Sequence, residues 1–347
     1  MGVIVPDLVS PRYLGRGTRL PWIPRIMDEE TGGVPVIRIR GLHTAIHLPG
    51  VQMRRYRRWL RRALAIYVER FGRPDVLHAM CSIPAAWACT HLADSLADRV
   101  VVTENTGPFS LVMSPKKGEA YVRSALAKAA AVVAVSEPLK EEMRAAGIDR
   151  SIQVVPNPVA EGFDGCAPPG VNTNEEGLPI FHGLFVGRLT HLKGIPELIE
   201  AAWILARDGR WVIEWNIAGD GELAMPMEAQ LTGAGPRCCL KMHGLCEKVR
   251  VAELLRQSHF LILPSHGENC PLAICEALSI GRPVVTTEAD GCRALVGPDE
   301  GLLAEIGDPE GLARAVDALL TDYAKWDWRL ISDRARGRFS STAVSAA

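Results

Sequence analysis

The sequence predicts an α/β fold in two domains, each with a parallel sheet covered by helices on both faces. Short apolar runs typical of buried strands alternate with segments of helical periodicity along most of the chain. A length of 347 residues is more than one hydrophobic core usually organises. Prolines and glycines concentrate between residues 156 and 179, where apolar side chains are few, and this composition is typical of linkers. We therefore expect a first domain over residues 1–160, a linker over 161–179, a second domain over 180–322 and a tail over 323–347.

The net charge and the cysteine content of the chain limit the classes of function that it can have. Lysine and arginine total 39 residues against 40 aspartates and glutamates, and the resulting net charge of −1 argues against a general nucleic-acid binder. The nine cysteines follow no disulfide framework, and no stretch is typical of a signal peptide or of an apolar span of about 18 residues. We therefore expect a reducing, cytoplasmic environment. His78, Cys81, Cys89 and His91 lack the spacing of a zinc site, so we assign them to core packing and predict no metal.

A helix predicted over residues 51–73 has the clearest charge pattern of the first domain. Its apolar side chains recur at spacings of three and four, and its arginines fall largely on the opposite face. These arginines are Arg54, Arg55, Arg58, Arg61 and Arg62. Two interpretations stay open. The arginines are the solvated outer face of a helix that covers the sheet, or they contact an anionic membrane surface or a phosphate-bearing acceptor.

A strand predicted from Val100 ends in a polar loop that contains Glu104 and Asn105. Loops at the carboxyl ends of parallel strands build binding sites. Glu104 can accept hydrogen bonds from a ligand hydroxyl or from N–H groups of its own loop, and the pattern does not separate these roles. Asn105 can form hydrogen bonds but cannot take up a proton at neutral pH.

The most informative stretch of the second domain covers residues 264–281. A buried strand is predicted up to Leu263, a polar loop follows, and a helix begins around Leu272 with Pro271 in its first turn. Glu268 lies in the loop, and Glu276 lies about one turn into the helix.

The free N–H groups at the start of that helix, from Asn269 to Leu272, suit a polar or anionic ligand. Seven residues separate the two glutamates, so each can contact a different end of an elongated ligand. The other interpretation is a helix N-terminus that carries acidic residues because they favour that end.

Basic residues follow another predicted strand, residues 181–187. Arg188 and Lys193 lie in the loop between this strand and a helix predicted near Ile195, and together they can hold a diphosphate. The alternative is a surface loop with two solvated cations. The ends of the predicted strands share one rim of the sheet and lie at Gly187, Gly219, Gly244 and Pro264.

The segment E-N-C-P-L-A-I-C-E-A-L-S-I-G-R-P-V-V, which begins at Glu268, resembles the E-x7-E signature of retaining glycosyltransferases of family four, which have the GT-B fold. FVGRLTHLKGI resembles the family's phosphate element, IAGDGE a glycine-containing strand end, and MHGLCEKVRVAELL its base-side loop and helix. AVSEPLKEEM and VVPNPV resemble the end of its N-terminal domain. The resemblance implies two Rossmann-like domains that face each other across a cleft, and a tail helix that crosses back to the first domain.

The resemblance also implies roles for individual residues. Arg188 and Lys193 would hold the diphosphate of a nucleotide sugar and stabilise its developing charge, and Glu268 would hold the sugar, so we assign these three to catalysis. The implied donor-binding residues are Gly187, Arg188, Lys193, Gly219, Gly244, Leu245, Glu268, Asn269, Cys270, Pro271, Leu272 and Glu276, the last for the ribose hydroxyls. The implied acceptor-side residues are Glu104 and Asn105, the latter where many relatives have a histidine.

The implied activity is transfer of a sugar, with retained anomeric configuration, from a nucleotide sugar to a glycan, a polysaccharide precursor or a lipid-linked acceptor. No cofactor is expected, and the chain contains no Asp-x-Asp pair, in agreement with a metal-independent site. Lipid-linked acceptors would place the arginine-rich helix at the inner membrane surface. Two alternatives are a sugar-nucleotide epimerase of the same fold and a scaffold that binds nucleotide sugars with little catalysis.

The beginning of the chain departs from the family pattern. In the family, a strand and a glycine-rich turn come earlier than residues 2–7, which themselves resemble a strand and its exit loop. Residues 33–41 then resemble the family's third strand region. Either the first domain lacks its first strand, or the stretch from Arg12 to Thr18 replaces that turn.

Overall fold

The chain divides into two units of α/β structure. The computed structural model describes residues 1–9, 24–42, 49–92, 97–114, 118–233, 235 and 237–346. The first unit contains Met1–Val135 and Leu139–Val154, and the second contains Ser136–Pro138 and Val155–Ala347. The stretch from Arg12 to Thr18, considered above as a replacement for a turn, lies outside the described residues. The predicted domain limits and the predicted lack of a first strand stay predictions.

A three-stranded sheet opens the first unit. Its strands are β1 (Val3–Val9), β2 (Arg25–Thr31) and β3 (Val34–Leu42), in the order β1-β3-β2. β1 runs parallel to β3, and β2 and β3 form an antiparallel hairpin. Gly32 and Gly33 at the hairpin turn have φ of 59° and 77°, a conformation that glycine adopts without a steric cost.

Helix α1 (Pro49–Phe71) covers this sheet, begins two residues before the predicted segment of residues 51–73 and ends two residues before the end of that segment, where Gly72 has φ of 82°. Ala63 of the helix packs with Ile37 and Ile39 of β3 to form a buried cluster. The partly buried side chains of Trp59 and Tyr67 extend this cluster. Burial of one apolar stripe fixes the helix on the sheet and leaves the opposite, arginine-rich face towards solvent.

A second sheet of the first unit contains only parallel strands among the described residues. Its order is β4 (Val76–Met80), β5 (Arg99–Glu104), β6 (Ala131–Ala134) and β7 (Gln153–Val154). Helical segments alternate with these strands, as predicted. They are a short helical segment at Ser82–Ala86, α2 (Trp87–Thr90), a 3₁₀ turn at Phe109–Leu111, α3 (Glu119–Lys128) and α4 (Glu137–Ala145).

The second unit is built on a larger sheet whose strands are parallel except at one edge. The strands are β9 (Pro179–Val186), β10 (Val212–Ala218), β11 (Cys238–Gly244), β12 (Phe260–Leu263), β13 (Val284–Thr287) and β14 (Gly301–Ala304), and β8 (Asn172–Thr173) pairs antiparallel with β9. The spatial order is β11-β10-β9-β12-β13-β14. The chain adds β10 and β11 on one side of β9 and then returns to add β12 on the other. The strand order therefore reverses between β9 and β12, and such a switch point is where open parallel sheets bind ligands.

Helices follow nearly every strand of the second unit. They are α5 (Ile195–Asp208), α6 (Ala224–Thr232), α7 (Lys248–Arg256), α8 (Leu272–Ile280), α9 (Asp290–Arg293), α10 (Pro309–Thr321), α11 (Trp328–Phe339) and α12 (Ser341–Ala346), with 3₁₀ turns at His191–Lys193 and Tyr323–Lys325. The tail packs within this unit, where the Ser332 hydroxyl donates to the Ser279 carbonyl of α8 at 2.7 Å. Its predicted return to the first domain stays a prediction. None of the helices that the structure describes is both long enough and apolar enough to span a membrane.

Candidate active site

The loops that leave β9 and β12 meet at the switch point. The backbone N–H of His266, after β12, donates to the carbonyl of Leu192, after β9, at 2.9 Å. The His266 side chain lies 2.9 Å from the carboxylate of Glu197 in α5. Gly194 has φ of 69°, and a Cβ there would overlap the carbonyl of Pro264. The two loops therefore approach so closely that only glycine fits at this position.

Lys193 and Glu268 form an ion pair across these loops. Their side chains are only 17% and 11% exposed, so water screens the pair less than it would on the surface. The Ser265 hydroxyl also donates to the Glu268 carboxylate at 2.8 Å. The sequence assigns both charged residues to the donor site, and the structure brings them into direct contact.

The side chains of β13 hold the start of the β12 loop. The Thr286 hydroxyl donates to the carbonyl of Leu263 at 2.7 Å, and the Thr287 hydroxyl donates to the carbonyl of Ser265 at 2.5 Å. Both threonines are buried. Buried hydrogen bonds of this kind fix the backbone from which Glu268 projects.

Glycines bring the ends of β9 and β10 together. The Gly187 N–H donates to the Ala218 carbonyl at 3.0 Å, and a Cβ at Gly219 would overlap the Gly187 carbonyl. The Leu189 N–H donates to the Asp220 carbonyl at 2.9 Å. Arg188 lies between these contacts with its side chain exposed, so its guanidinium group is available at the rim of the sheet.

Glu276 is almost fully buried in α8, and its carboxylate pairs with the ammonium group of Lys248 at the first residue of α7. Burial raises the pKa of Glu276 above its usual value, and the neighbouring Lys248 opposes this increase. The sequence analysis missed Lys248. One signal was available, because a lysine in the first turn of a helix faces an unfavourable dipole and needs another reason to be there.

The start of α8 differs slightly from the prediction. Pro271 lies at the N-cap, with φ of −67° and ψ of 109°, and the helix begins at Leu272 rather than including the proline in its first turn. Cys270, just before it, is buried, and a hydrogen bond from the Cys275 thiol lowers the pKa of Cys270 to about 7. Asn269 is also buried.

Gly291 is a second residue that the sequence analysis missed. Its N–H donates to the Glu268 carbonyl at 3.1 Å, and a Cβ at this position would overlap that carbonyl. The short helix α9 therefore abuts the backbone of the Glu268 loop. A glycine shortly after a strand was the available signal, since such glycines often permit close backbone approach.

Strand β11 ends in a turn at the surface. Gly244 has φ of 64°, and the following Leu245 is almost fully exposed. His243, just before, lies 2.9 Å from the Asn216 side chain, and burial lowers the pKa of His243. An exposed leucine at the carboxyl end of a strand is suited to contact a flat apolar group of a ligand.

In the first unit, Glu104 is fully buried and holds its own loop. Its carboxylate accepts hydrogen bonds from the N–H groups of Ser82, Asn105 and Thr106 at 2.8–2.9 Å, and from the Ser82 hydroxyl. Of the two roles considered for Glu104, these contacts are those of the loop-forming one. The neighbouring Asn105 is exposed, and the acceptor-side role of both residues stays a prediction.

The arginines of α1 divide between solvent and ring contacts. Arg54, Arg58, Arg61 and Arg62 are exposed, and Arg55 is half-buried. The Arg62 guanidinium lies 4.9 Å from the centre of the Trp59 ring, a distance typical of cation–π contacts. Within the described part of the chain, no three histidine, cysteine or carboxylate side chains cluster as metal ligands do.

Comparison with known proteins defines the class. A family model described as Glycosyltransferase Family 4 matches residues 16–162, and one described as Glycosyl transferases group 1 matches residues 181–322. The chain belongs to the group 1 glycosyltransferases of family four.

One relative and two solved structures show how far the similarity extends. The chain is 30% identical over 271 residues to TuaC of Bacillus subtilis (strain 168), named as a teichuronic acid biosynthesis glycosyltransferase, and the match covers 75% of this chain and 65% of TuaC. Sucrose-phosphate synthase from Thermosynechococcus elongatus has a TM-score of 0.74 at 17% identity, over 100% of this chain and 97% of that one. HepE from Anabaena, in complex with UDP, has a TM-score of 0.69 at 19% identity, over 90% and 85% of the two chains. The predicted GT-B fold is confirmed.

Proposed function

We propose that the chain is a retaining glycosyltransferase that moves a sugar from a nucleoside diphosphate sugar to a hydroxyl group of an acceptor. The observation that carries this proposal is the convergence of Lys193 and Glu268 at the switch point of the second unit. Membership of the family and the fold agree with it.

The diphosphate would bind where β9 and β10 end. Arg188 and Lys193 supply two positive charges there, and the contact between Gly187 and Gly219 leaves no side chain in the way of a close backbone approach. Phosphate oxygens would take over part of the pairing that Lys193 makes with Glu268. Two cations beside the leaving group stabilise the charge that develops on it, and we propose that they make a metal ion unnecessary.

The two glutamates would bind the two polar ends of the donor. The Glu276 carboxylate would accept hydrogen bonds from the ribose hydroxyls, and Glu268 with the backbone from Asn269 to Leu272 would bind the sugar. Leu245 and Gly244 would lie beside the base. Strand β12, its loop and α8 together present both carboxylates from one continuous segment.

The chemistry needs no nucleophile from the protein. The bond between the anomeric carbon and the diphosphate oxygen breaks, and the acceptor oxygen bonds to the same face of that carbon. Because the new bond forms on the face that the leaving group departs from, configuration is retained, and the acceptor proton passes to the departing diphosphate oxygen, so charges balance. The chain's contribution is orientation and electrostatic stabilisation by Arg188 and Lys193.

Relatives suggest the substrates to test first. HepE is solved with UDP-glucose, and TuaC is named for teichuronic acid, so we propose a UDP-sugar donor and a glycan or lipid-linked glycan acceptor. The match covers 65% of the length of TuaC, and the substrates of the present chain are therefore part of the proposal. The exposed arginines of α1 would contact an anionic membrane surface if the acceptor is lipid-linked.

The proposal is tested by product analysis with nuclear magnetic resonance. The protein is incubated with UDP-, GDP- and ADP-sugars and a panel of glycan acceptors, and the anomeric configuration of each product is read directly. A product with the configuration of the donor supports the proposal. Isomerised nucleotide sugar without transfer indicates an epimerase, binding without turnover indicates a scaffold, and an inverted product contradicts retention.

A further inference from the structure

His266 contacts the segment after β9 through both its backbone and its side chain. Its N–H donates to the Leu192 carbonyl at 2.9 Å, and its ring Nε2 lies 2.9 Å from an oxygen of the Glu197 carboxylate. An ionised carboxylate only accepts hydrogen bonds, so the hydrogen atom of this second contact belongs to Nε2. The two contacts reach the chain on either side of Lys193. His266 therefore ties the loop that carries Glu268 to the segment that carries Lys193.

The Glu197 carboxylate is hydrogen-bonded by the His266 ring alone among the described residues. Glu197 lies in the first turn of α5, and its side chain is only 17% exposed. Its Oε2 atom is buried without a hydrogen-bond partner in the described part of the chain, and Oε1 receives the bond from His266. The helix dipole favours a carboxylate at this end, but a largely buried charge that loses its hydrogen-bond partner is destabilised. The contact between these two side chains therefore resists separation.

A second side-chain contact between the same loops is the ion pair of Lys193 and Glu268. In the proposed function this pair opens in part, because the phosphate oxygens of the nucleotide attract the Lys193 ammonium group. The contact between His266 and Glu197 has no such competitor, since neither residue is assigned to the nucleotide. Among the described residues it is the side-chain link that remains between the two loops when the diphosphate is bound.

We propose, on the basis of the proposed function, that His266 and Glu197 form a positioning pair. The pair holds the loop after β9 against the loop after β12 while the Lys193 ammonium group moves from Glu268 to the diphosphate. Lysine has a long and flexible side chain, and a fixed backbone on both sides of Lys193 limits the positions that its ammonium group reaches. Loss of the pair therefore weakens diphosphate binding through Lys193, although neither His266 nor Glu197 contacts the nucleotide.

A double-mutant cycle tests whether the His266 ring acts through Lys193. Dissociation constants of UDP, GDP and ADP are measured by calorimetry for the wild type, His266→Leu, Lys193→Met and the double variant. We expect His266→Leu to weaken binding of the recognised nucleotide about ten-fold when Lys193 is present, and less than about two-fold in the Lys193→Met background. The backbone N–H at position 266 is retained in every variant, so the cycle isolates the ring.

Two further variants separate positioning from stability. His266→Gln keeps a side-chain N–H that can donate to Glu197, and it should restore most of the affinity that His266→Leu loses. His182→Leu removes a similar contact near the start of β9, where the His182 ring lies 3.3 Å from the Glu214 carboxylate and the two side chains are 27% and 24% exposed. This matched control should leave nucleotide affinity unchanged, whatever its effect on the unfolding temperature.

The outcomes separate this inference from the proposed function. Equal losses from His266→Leu in the two backgrounds, unchanged affinity in His266→Leu, or no rescue by His266→Gln would each overturn the positioning pair while the donor site stands. If the folded wild type binds none of the three nucleotides, the proposed donor site fails and the positioning pair fails with it.

Discussion

The ammonium group of Lys248 pairs with the carboxylate of Glu276, and the two partners differ greatly in exposure. The Lys248 side chain is 56% exposed, whereas that of Glu276 is 3% exposed. Burial alone disfavours the charged form of a carboxyl group, and a nearby positive charge favours it. Lys248 therefore opposes the effect of burial and favours the ionised form of the carboxylate at the proposed ribose site.

Removing that charge should shift the pH dependence of donor binding. The ionised Glu276 carboxylate accepts hydrogen bonds through both oxygens and more strongly than the protonated carboxyl group does, so donor binding is strongest above the pKa of Glu276 and weakens as pH falls through it. Lys248→Met raises this pKa further, because burial is then unopposed, and the loss of affinity should begin at a higher pH. Dissociation constants for UDP-glucose measured across pH report the shift.

Lys248→Arg is the control, since it keeps the charge and should leave the pH profile nearly unchanged. Identical profiles for wild type and Lys248→Met would show that the ion pair does not support the carboxylate in donor binding.

Arg188 should contribute to donor affinity and little to stability. Its side chain is exposed, and a hydrogen bond to a charged group contributes about 1.5–3 kcal/mol. Arg188→Ala should weaken binding of a nucleoside diphosphate by about 10–100-fold, with an unchanged unfolding temperature. Arg314→Ala, at a side chain that is also exposed, should change neither quantity, and equal effects of both substitutions on affinity would argue against a phosphate contact at Arg188.

The contact between Gly194 and Pro264 should be sensitive to a single methyl group. Gly194→Ala introduces a positive φ for a residue with a Cβ and an overlap with the Pro264 carbonyl, so we expect a loss of at least about 3 kcal/mol in the free energy of unfolding. Gly307→Ala has a similar φ of 76° but open space around its Cβ, and should cost only about 1 kcal/mol. Denaturant unfolding measures the free energy of unfolding of both variants. Equal losses would contradict the close contact between Gly194 and the Pro264 carbonyl.

Arg282 should be essential to the fold of the second unit. It is fully buried, and its guanidinium group donates to backbone carbonyls at 2.8–3.2 Å. The accepting carbonyls are those of Leu255, Cys166, Ala167 and Arg256. Arg282→Met leaves several of these groups unpaired and should cost about 3 kcal/mol or more in unfolding free energy. Arg293→Met, at an exposed arginine, is the control, and a loss no larger than that of this control would show that water replaces the lost hydrogen bonds.

The parallel sheets were predictable because strand and helix periodicities alternate regularly along the chain. The strand–loop–helix unit of Glu268 and Glu276 was predictable for the same reason, since it is encoded within a single short stretch. Lys248 and Gly291 were not predictable as site residues. Each lies next to the site only because the fold places distant segments of the chain side by side. Their partners are Glu276 and the Glu268 backbone, and no local pattern specifies those contacts.

Burial and hydrogen bonding also distinguish the two roles of Glu104 that the sequence left open. A glutamate at the end of a strand is equally compatible with a ligand contact and with a loop-forming contact. Only the position of Ser82 and of the N–H groups after Glu104 shows which hydrogen bonds form. A carboxylate that is fully buried with several donors is stabilised as part of the loop.

The assignment of the donor site rests on the pair formed by Lys193 and Glu268, and isothermal titration calorimetry measures its contribution to donor binding. The protein is titrated with UDP-glucose, GDP-mannose and ADP-glucose, with Lys193→Met and Glu268→Gln measured in parallel. We expect that the wild type binds one of these donors and that both folded variants bind it at least ten-fold more weakly. Binding that is unaffected in both variants, or no binding of any nucleotide sugar by the folded protein, would contradict the assignment of the donor site.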